Sequence, residues 1–273
     1  MREQKFKKLE RLKEILKGMD KVILAYSGGV DSTFLLKVAS EVLGGDLLAV
    51  TIKSQIFPKR ELSTAKEIAL KLGAKHKFIK GNQLQEPNFL KNDKDRCYWC
   101  KKELFSKLIE FTQRGGFNCV IEGSNFDDLK DYRPGMEALK ELGIRSPLVE
   151  ARLEKAEIRI LSKDWKLPTW NKPSLACLAT RIAYGIRIEP EILRQINRIE
   201  EFLLDCGFRK VRIRYHGDWT RIEVDRSQIG RFLKRGIREE VLNKLKRLKS
   251  KFILLDLEGY RMGSMNLVGG ERR

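Results

Sequence analysis

The residues with the clearest chemistry are Ser27-Gly28-Gly29-Val30-Asp31-Ser32. They follow the apolar run Val22-Ile23-Leu24-Ala25-Tyr26 and lead into an apolar helical stretch from Thr33 to Leu43. Glycines let a backbone turn tightly and come close to a phosphate, and a helix start offers free amide hydrogens and the positive end of its dipole. Ser27 and Ser32 add hydroxyl donors, while Asp31 can hold Mg2+ or cap the helix. An ordinary turn capped by Asp31 and Ser32 would account for the glycines alone. All six residues between a strand and a helix point to a phosphate site. No Gly-x-x-x-x-Gly-Lys-Ser/Thr is present, so the loop is not the kind that serves γ-phosphate cleavage.

Cysteine supplies the second chemistry. Cys97-Tyr98-Trp99-Cys100 precedes an amphipathic helix, and two thiols at this spacing can ligate one metal centre, favoured as thiolates by Arg96, Lys101 and Lys102. There is no second pair, so a four-cysteine zinc site would be incomplete. Cys177 stands in a loop-like stretch, Ser174-Leu175-Ala176-Cys177-Leu178-Ala179-Thr180-Arg181, after Pro173. Cys119 in an apolar strand and Cys206 at a helix end read as core fillers, and His76 and His216 as packing or surface residues. Three thiolates suit a [4Fe-4S] cluster with one open iron. The alternative is a Cys97/Cys100 redox pair beside a solitary nucleophile at Cys177.

The elements that position these groups alternate. A helix over 2–18 is followed by strands at 22–26, 47–52, 75–79 and 118–121, with helices at 33–43, 59–72 and 101–113 between them. Strands joined by crossover helices predict an α/β fold with a doubly wound parallel sheet. The pattern changes near Pro168 and Pro173. A helix over 190–206, strands at 210–215 and 220–224, helices at 227–234 and 238–249 and a strand at 252–255 predict a smaller C-terminal α+β domain. The expected domains are residues 1–172 and 173–273.

Composition bounds the setting. The 273 residues are 42% hydrophobic and 34% charged, which fits a globular chain of one large or two medium domains. No apolar run is long enough for a membrane span, and Met1-Arg2-Glu3-Gln4-Lys5 opens a charged helix and not an apolar signal region. A cytoplasmic location is expected. The formal charge of +19 suits a polyanionic partner or a charge-networked surface for high temperature. The basic residues are scattered, and no basic stripe interleaved with aromatics argues for nucleic acid.

The six-residue loop resembles the PP-loop of the ATP pyrophosphatases, which split ATP into AMP and pyrophosphate while activating a substrate. With Arg96-Cys97-Tyr98-Trp99-Cys100-Lys101, Glu122-Gly123-Ser124-Asn125, Asp127-Asp128, Asp131-Tyr132-Arg133-Pro134-Gly135 and Ala176-Cys177-Leu178-Ala179-Thr180-Arg181 in this order, the chain resembles the LarE family over about residues 5–260. These enzymes are ATP-dependent sulfur transferases that make the pincer ligand of the nickel cofactor of lactate racemase. The resemblance implies ATP and Mg2+ as cofactors and a pyridinium dicarboxylate mononucleotide as substrate. A carboxylate would be adenylated and a sulfur nucleophile would displace AMP. In one branch the cysteine matching Cys177 gives up its own sulfur. In the other, a [4Fe-4S] cluster held by three cysteines delivers a hydrosulfide, and Cys97 and Cys100 place this chain there. The resemblance assigns Ser27, Gly28, Gly29, Asp31, Ser32, Gly123, Asn125, Asp128 and Arg133 to the nucleotide pocket. Glu201 and Glu223 resemble the family's metal-associated acids and join Asp31 as Mg2+ candidates. The substrate phosphate needs cations, for which Arg212 and Arg214, alternating on one strand face, are candidates alongside Thr180 and Arg181; solvated strand arginines are the alternative. Trp99 between the two cysteines suits either stacking on the pyridinium ring or shielding the cluster. A sulfide donor, handover to a nickel-insertion protein and a homo-oligomer are the implied partners. The rivals are a tRNA thiolation enzyme with the same loop and cluster, an amide-forming ligase that uses ammonia, and a non-enzymatic nucleotide-binding scaffold.

Overall fold

Val22, Ile23 and Leu24 have no polar alternation, which suits a strand covered on both faces. In a computed structural model, residues 2–130, 134–173, 176–248, 250–261 and 264–265 are described, and all three side chains are fully buried. Asp131, Tyr132 and Arg133 lie outside the described residues, so the expected role of Arg133 has no structural counterpart.

The first part of the chain runs α1 (Arg2–Lys17), β1 (Val22–Ala25), α2 (Val30–Leu43), β2 (Leu47–Lys53), α3 (Lys59–Lys71) and β3 (Lys75–Lys80). It continues through α4 (Pro87–Lys91), α5 (Arg96–Gly115), β4 (Cys119–Ile121), α6 (Pro134–Glu141), α7 (Pro147–Glu150) and α8 (Lys155–Asp164). The four strands form a parallel sheet in the order β3-β2-β1-β4, with Val22 level with Leu47 on one side and Cys119 on the other. Period-two alternation sorts β1 between two cores. Val22 and Leu24 pack with Leu12 and Leu16 of α1, Phe34 and Val38 of α2, Ala65 of α3 and Leu161 of α8. Ile23 packs with Phe105 and Leu108 of α5 and Leu139 of α6. Helices thus cover both faces, the doubly wound arrangement expected. The chain leaves β1 for β2 on one side and places β4 on the other, so the strand order reverses at β1, where α/β sheets open a ligand crevice.

The second part holds a 3-10 turn at Leu178–Arg181, then α9 (Pro190–Asp205), β5 (Arg212–Tyr215), β6 (Trp219–Glu223), a 3-10 stretch Arg226–Leu233, α10 (Arg235–Leu245) and β7 (Phe252–Leu255). β5 pairs antiparallel with β6, and β6 parallel with β7. This is the small α+β unit expected from the pattern. By contacts the units comprise residues 1–86 with 95–175, and 87–94 with 176–273. The short segment carrying α4 therefore belongs with the second unit. Asn92 anchors it there, donating its side-chain amide to the carbonyls of Ala183 (2.8 Å) and Ile186 (2.9 Å). Among the described residues, no helix is long and apolar enough to cross a membrane.

Candidate active site

The loop after β1 turns at Gly28, whose φ is +71° and whose absent Cβ would lie 2.7 Å from Ala65 Cβ. Only glycine combines that backbone with that approach to α3. Helix α2 starts at Val30, three residues before the expected Thr33, with Gly29 as its N-cap. Asp31 and Ser32 therefore lie within the first helical turn and Asp31 does not cap it. Ser27 Oγ and Ser32 Oγ are 3.0 Å apart, and Gly29 N–H donates to Ser27 Oγ at 3.3 Å, so the hydroxyls brace the loop. Lys172 Nζ donates to Gly28 O (3.1 Å) and pairs with Glu61 of α3 (2.7 Å), tying the loop down from below. Nearby Tyr26 has its phenol pKa pushed up to about 12 by burial, offset in part by its hydrogen bond with Thr33, and stays neutral.

The loop after β4 meets the start of α2 from the neighbouring strand. A Cβ on Gly123 would meet Ser32 N at 3.0 Å, so this residue sits directly on the start of α2. The buried Glu122 carboxylate accepts Ser124 N–H (2.9 Å), Ser124 Oγ–H (2.8 Å) and Ser146 Oγ–H (2.6 Å). Asp128 Oδ2 accepts Asn125 N–H at 3.0 Å and Asn125 Oδ1 accepts Asp127 N–H at 3.0 Å, which shapes the turn. Asp31 Oδ2 is ion-paired with Lys155 of α8, whereas Asp31 Oδ1 is buried with no hydrogen-bond partner among the described residues. Burial lifts the Asp31 carboxyl above its ordinary pKa, Lys155 pulls it back, and the nearby Asp128 charge adds to the rise. Lys155 and Lys172 escaped the sequence reading, because their partners lie 124 and 144 residues away.

Helix α5 begins at Arg96, not after the cysteines as expected, so Cys97 and Cys100 share its first turn. At a spacing of three they lie on one helix face and fit joint ligation of a metal centre. Neither is in a disulfide; Cys97 is exposed and Cys100 half-buried. Tyr98 OH donates to Glu141 (2.7 Å) and Lys102 Nζ to Tyr98 OH (2.7 Å), fastening this turn to α6. Lys102 Nζ lies 5.9 Å from the Trp99 ring centroid, so that ring has a cation partner within the protein.

Cys177 belongs to the second unit, as N-cap of the 3-10 turn. Its carbonyl accepts Thr180 Oγ1 (2.7 Å) and Arg181 Nη1 (3.1 Å). Arg181 is 2% exposed and forks onto Glu200 of α9, with Nε–Oε1 and Nη2–Oε2 both at 3.0 Å. Burial opposes the Arg181 charge, but the Glu200 carboxylate outweighs it and raises the guanidinium pKa. Arg214 donates to Glu223 Oε2 (3.1 Å), Thr180 O (3.1 Å) and Ser264 Oγ (3.1 Å). Glu223 is fully buried and also takes Arg221 (2.9 Å) and Ser264 Oγ (2.8 Å) on Oε1.

Two expectations change here. Both oxygens of Glu223 are committed to arginines and a hydroxyl, so the donor set of Glu201 and Glu223 does not fit Mg2+. The buried glutamate of α9 is Glu200, while Glu201 stays outside this network. The apolar stripe Leu193-Ile196-Ile199-Leu203 could have shown this, since position 200 falls on it. Arg212 has no carboxylate ion pair among the described residues; burial, and then Arg181, push its pKa down. Within either unit, no group of three or more His, Cys, Asp or Glu among the described residues is gathered to hold a metal.

A family model described as NAD synthase matches residues 7–92, a stretch that includes the Ser27–Ser32 loop. Similarity to three proteins extends over nearly the whole chain. A Lactiplantibacillus plantarum protein named pyridinium-3,5-bisthiocarboxylic acid mononucleotide synthase is 36% identical over 252 residues, 92% of this chain and 91% of that protein. An uncharacterized Synechocystis protein is 40% identical over 261 residues, 96% and 97% of the two chains. An uncharacterized Methanocaldococcus jannaschii protein is 32% identical over 258 residues, 93% and 98%.

Proposed function

The chain belongs to the LarE family of PP-loop, ATP-using enzymes, and from that premise we propose that it replaces carboxylate oxygen by sulfur on a pyridinium dicarboxylate mononucleotide, in nickel-pincer cofactor biosynthesis. The observation that carries the ATP half is the braced loop at the β1/β4 switch point, where Gly28 hugs α3 and Asp31 Oδ1 has no hydrogen-bond partner among the described residues. A partly exposed carboxylate with one oxygen lacking a donor fits Mg2+, which would neutralise charge on the departing pyrophosphate.

In the first step a substrate carboxylate oxygen bonds the α-phosphorus of ATP and the bond to pyrophosphate breaks. The amides at the start of α2 and the Ser27 and Ser32 hydroxyls hold the phosphates through this exchange. In the second step sulfide attacks the acyl carbon and AMP leaves with the former carboxylate oxygen, which yields a thiocarboxylate. Adenylation divides one difficult displacement into two easier ones. A [4Fe-4S] cluster held by Cys97, Cys100 and Cys177 would supply the sulfide when bound. Arg212, which has no carboxylate ion pair among the described residues, takes the substrate phosphate, and the Arg181–Glu200 and Arg214–Glu223 pairs fix the Cys177 turn. The product then passes to a nickel-inserting protein.

Anaerobic reconstitution tests this. We expect about four irons per chain, ATP-dependent pyrophosphate release with the dicarboxylate substrate, and loss of iron and of sulfur transfer in Cys97→Ser, Cys100→Ser and Cys177→Ser. A triple variant that still binds iron and transfers sulfur rules the cluster out. Dehydroalanine at position 177 after turnover would make the side chain itself the sulfur source.

A further inference from the structure

Asp31 and Asp128 act on one another electrostatically beside the start of α2, and one Asp31 oxygen is buried without a donor among the described residues. Two carboxylates in a half-desolvated crevice need a nearby cation. Lys155 supplies one to Asp31 by direct ion pairing, with the Arg159 charge acting on the same carboxyl. Its root is fixed: it opens α8, its backbone N–H donates to Asp127 Oδ2 at 2.9 Å, and Glu154 and Glu157 form a reciprocal capping box around it. Its tip is not. The side chain is 30% exposed, and a lysine carries a compact charge on a flexible four-carbon stem.

We propose that Lys155 is a place-holding cation, which occupies the Asp31 carboxylate in the nucleotide-free protein and moves onto the phosphates of ATP when Mg2+ takes that carboxylate. The inference rests on the ATP-binding reading of this loop. Mg2+ is a hard cation that prefers carboxylate and phosphate oxygens, so Mg·ATP displaces the ammonium from Asp31. The same event brings the triphosphate to the helix start, the strongest new anion within reach of the released tip. Lys172 plays a different part, since Gly28 O and Glu61 hold its ammonium beneath the loop. Lys155 thereby makes the metal weak alone and strong in company with nucleotide.

Mn2+ binding followed by electron paramagnetic resonance, without nucleotide, reads this directly. Lys155→Met should tighten Mn2+ binding at least about tenfold, and adding Asp31→Asn should erase the gain. Lys155→Arg, which keeps the charge, should bind Mn2+ as the wild type does. Lys155→Met should also bind Mg·ATP about tenfold more weakly, and Lys155→Gln should repeat both effects if Lys155→Met folds poorly. Nucleotide-free Mn2+ affinity within about twofold of wild type in both neutral variants overturns the proposal. A wild-type protein that binds no Mg·ATP would instead sink the ATP reading, whatever the Mn2+ titration shows.

Discussion

At Gly28 two constraints coincide, a left-handed backbone and an approach to Ala65 closer than any Cβ tolerates. Gly28→Ala is expected to cost about 2–3 kcal/mol and to abolish Mg·ATP binding. Gly44→Ala meets only the backbone penalty of about 1 kcal/mol, since nothing lies within 4 Å of the added methyl. Thermal denaturation and nucleotide titration of the two variants separate the effects. His216 makes a pH prediction. It stacks on Trp219 with centroids 3.6 Å apart, and burial, then the Arg221 and Arg214 charges, push its pKa down to about 4. The unfolded chain keeps the ordinary value of 6.5, so it binds the extra proton first as pH falls. The contribution is complete above pH 6.5 and is lost between there and about 4, on the order of 2 kcal/mol for a partly exposed ring. Chemical denaturation of His216→Gln should show that part of the acid slope flattened. The loop residues Ser27 to Ser32 were legible because strand, glycines and helix are contiguous. The Lys155–Asp31 pair was not, because nothing local links residues so far apart in sequence.

At the scale of elements, α9 decides which of two adjacent glutamates matters. Glu200 lies on its buried stripe and holds a buried guanidinium, so Glu200→Gln is expected to destabilise by about 3–5 kcal/mol. Glu201→Gln should stay within about 0.5 kcal/mol; equal melting temperatures would contradict the buried pair. Helical periodicity made α1, α3 and α9 readable to within a residue or two. The start of α5 was missed because Cys97-Tyr98-Trp99-Cys100 lacks an apolar period and Asp95, its N-cap, makes no side-chain cap bond. Helix α6 packs on that turn at Gly135, where an added Cβ would meet Lys101 Cδ at 2.8 Å and Cys97 O at 3.4 Å. Lysine is flexible, so Gly135→Ala should be mild, while Gly135→Leu should push α6 away and lower iron uptake on reconstitution.

For the whole molecule, the sequence pattern placed the change of architecture near residue 173 but gave no sign that 87–94 joins the later unit. That segment has only Phe89 and Leu90 as apolar markers, too few to show where it packs, although Phe89 is 1% exposed. A fragment of residues 1–175 should therefore yield more soluble protein when 87–94 is replaced by a glycine–serine linker. The same replacement in the full chain should lower the melting temperature, because the Asn92 bonds and Phe89 burial are lost. Opposite outcomes would mean that the segment belongs with the first sheet. The stitch also imposes an order in time. Asn92 emerges from the ribosome 90 to 94 residues ahead of the carbonyls of Ile182 and Ile186 that it binds. During synthesis the first sheet can close around a hanging loop, but the apolar Phe89 waits uncovered until the second unit arrives, a window in which a chaperone or a stray hydrophobic neighbour can intervene.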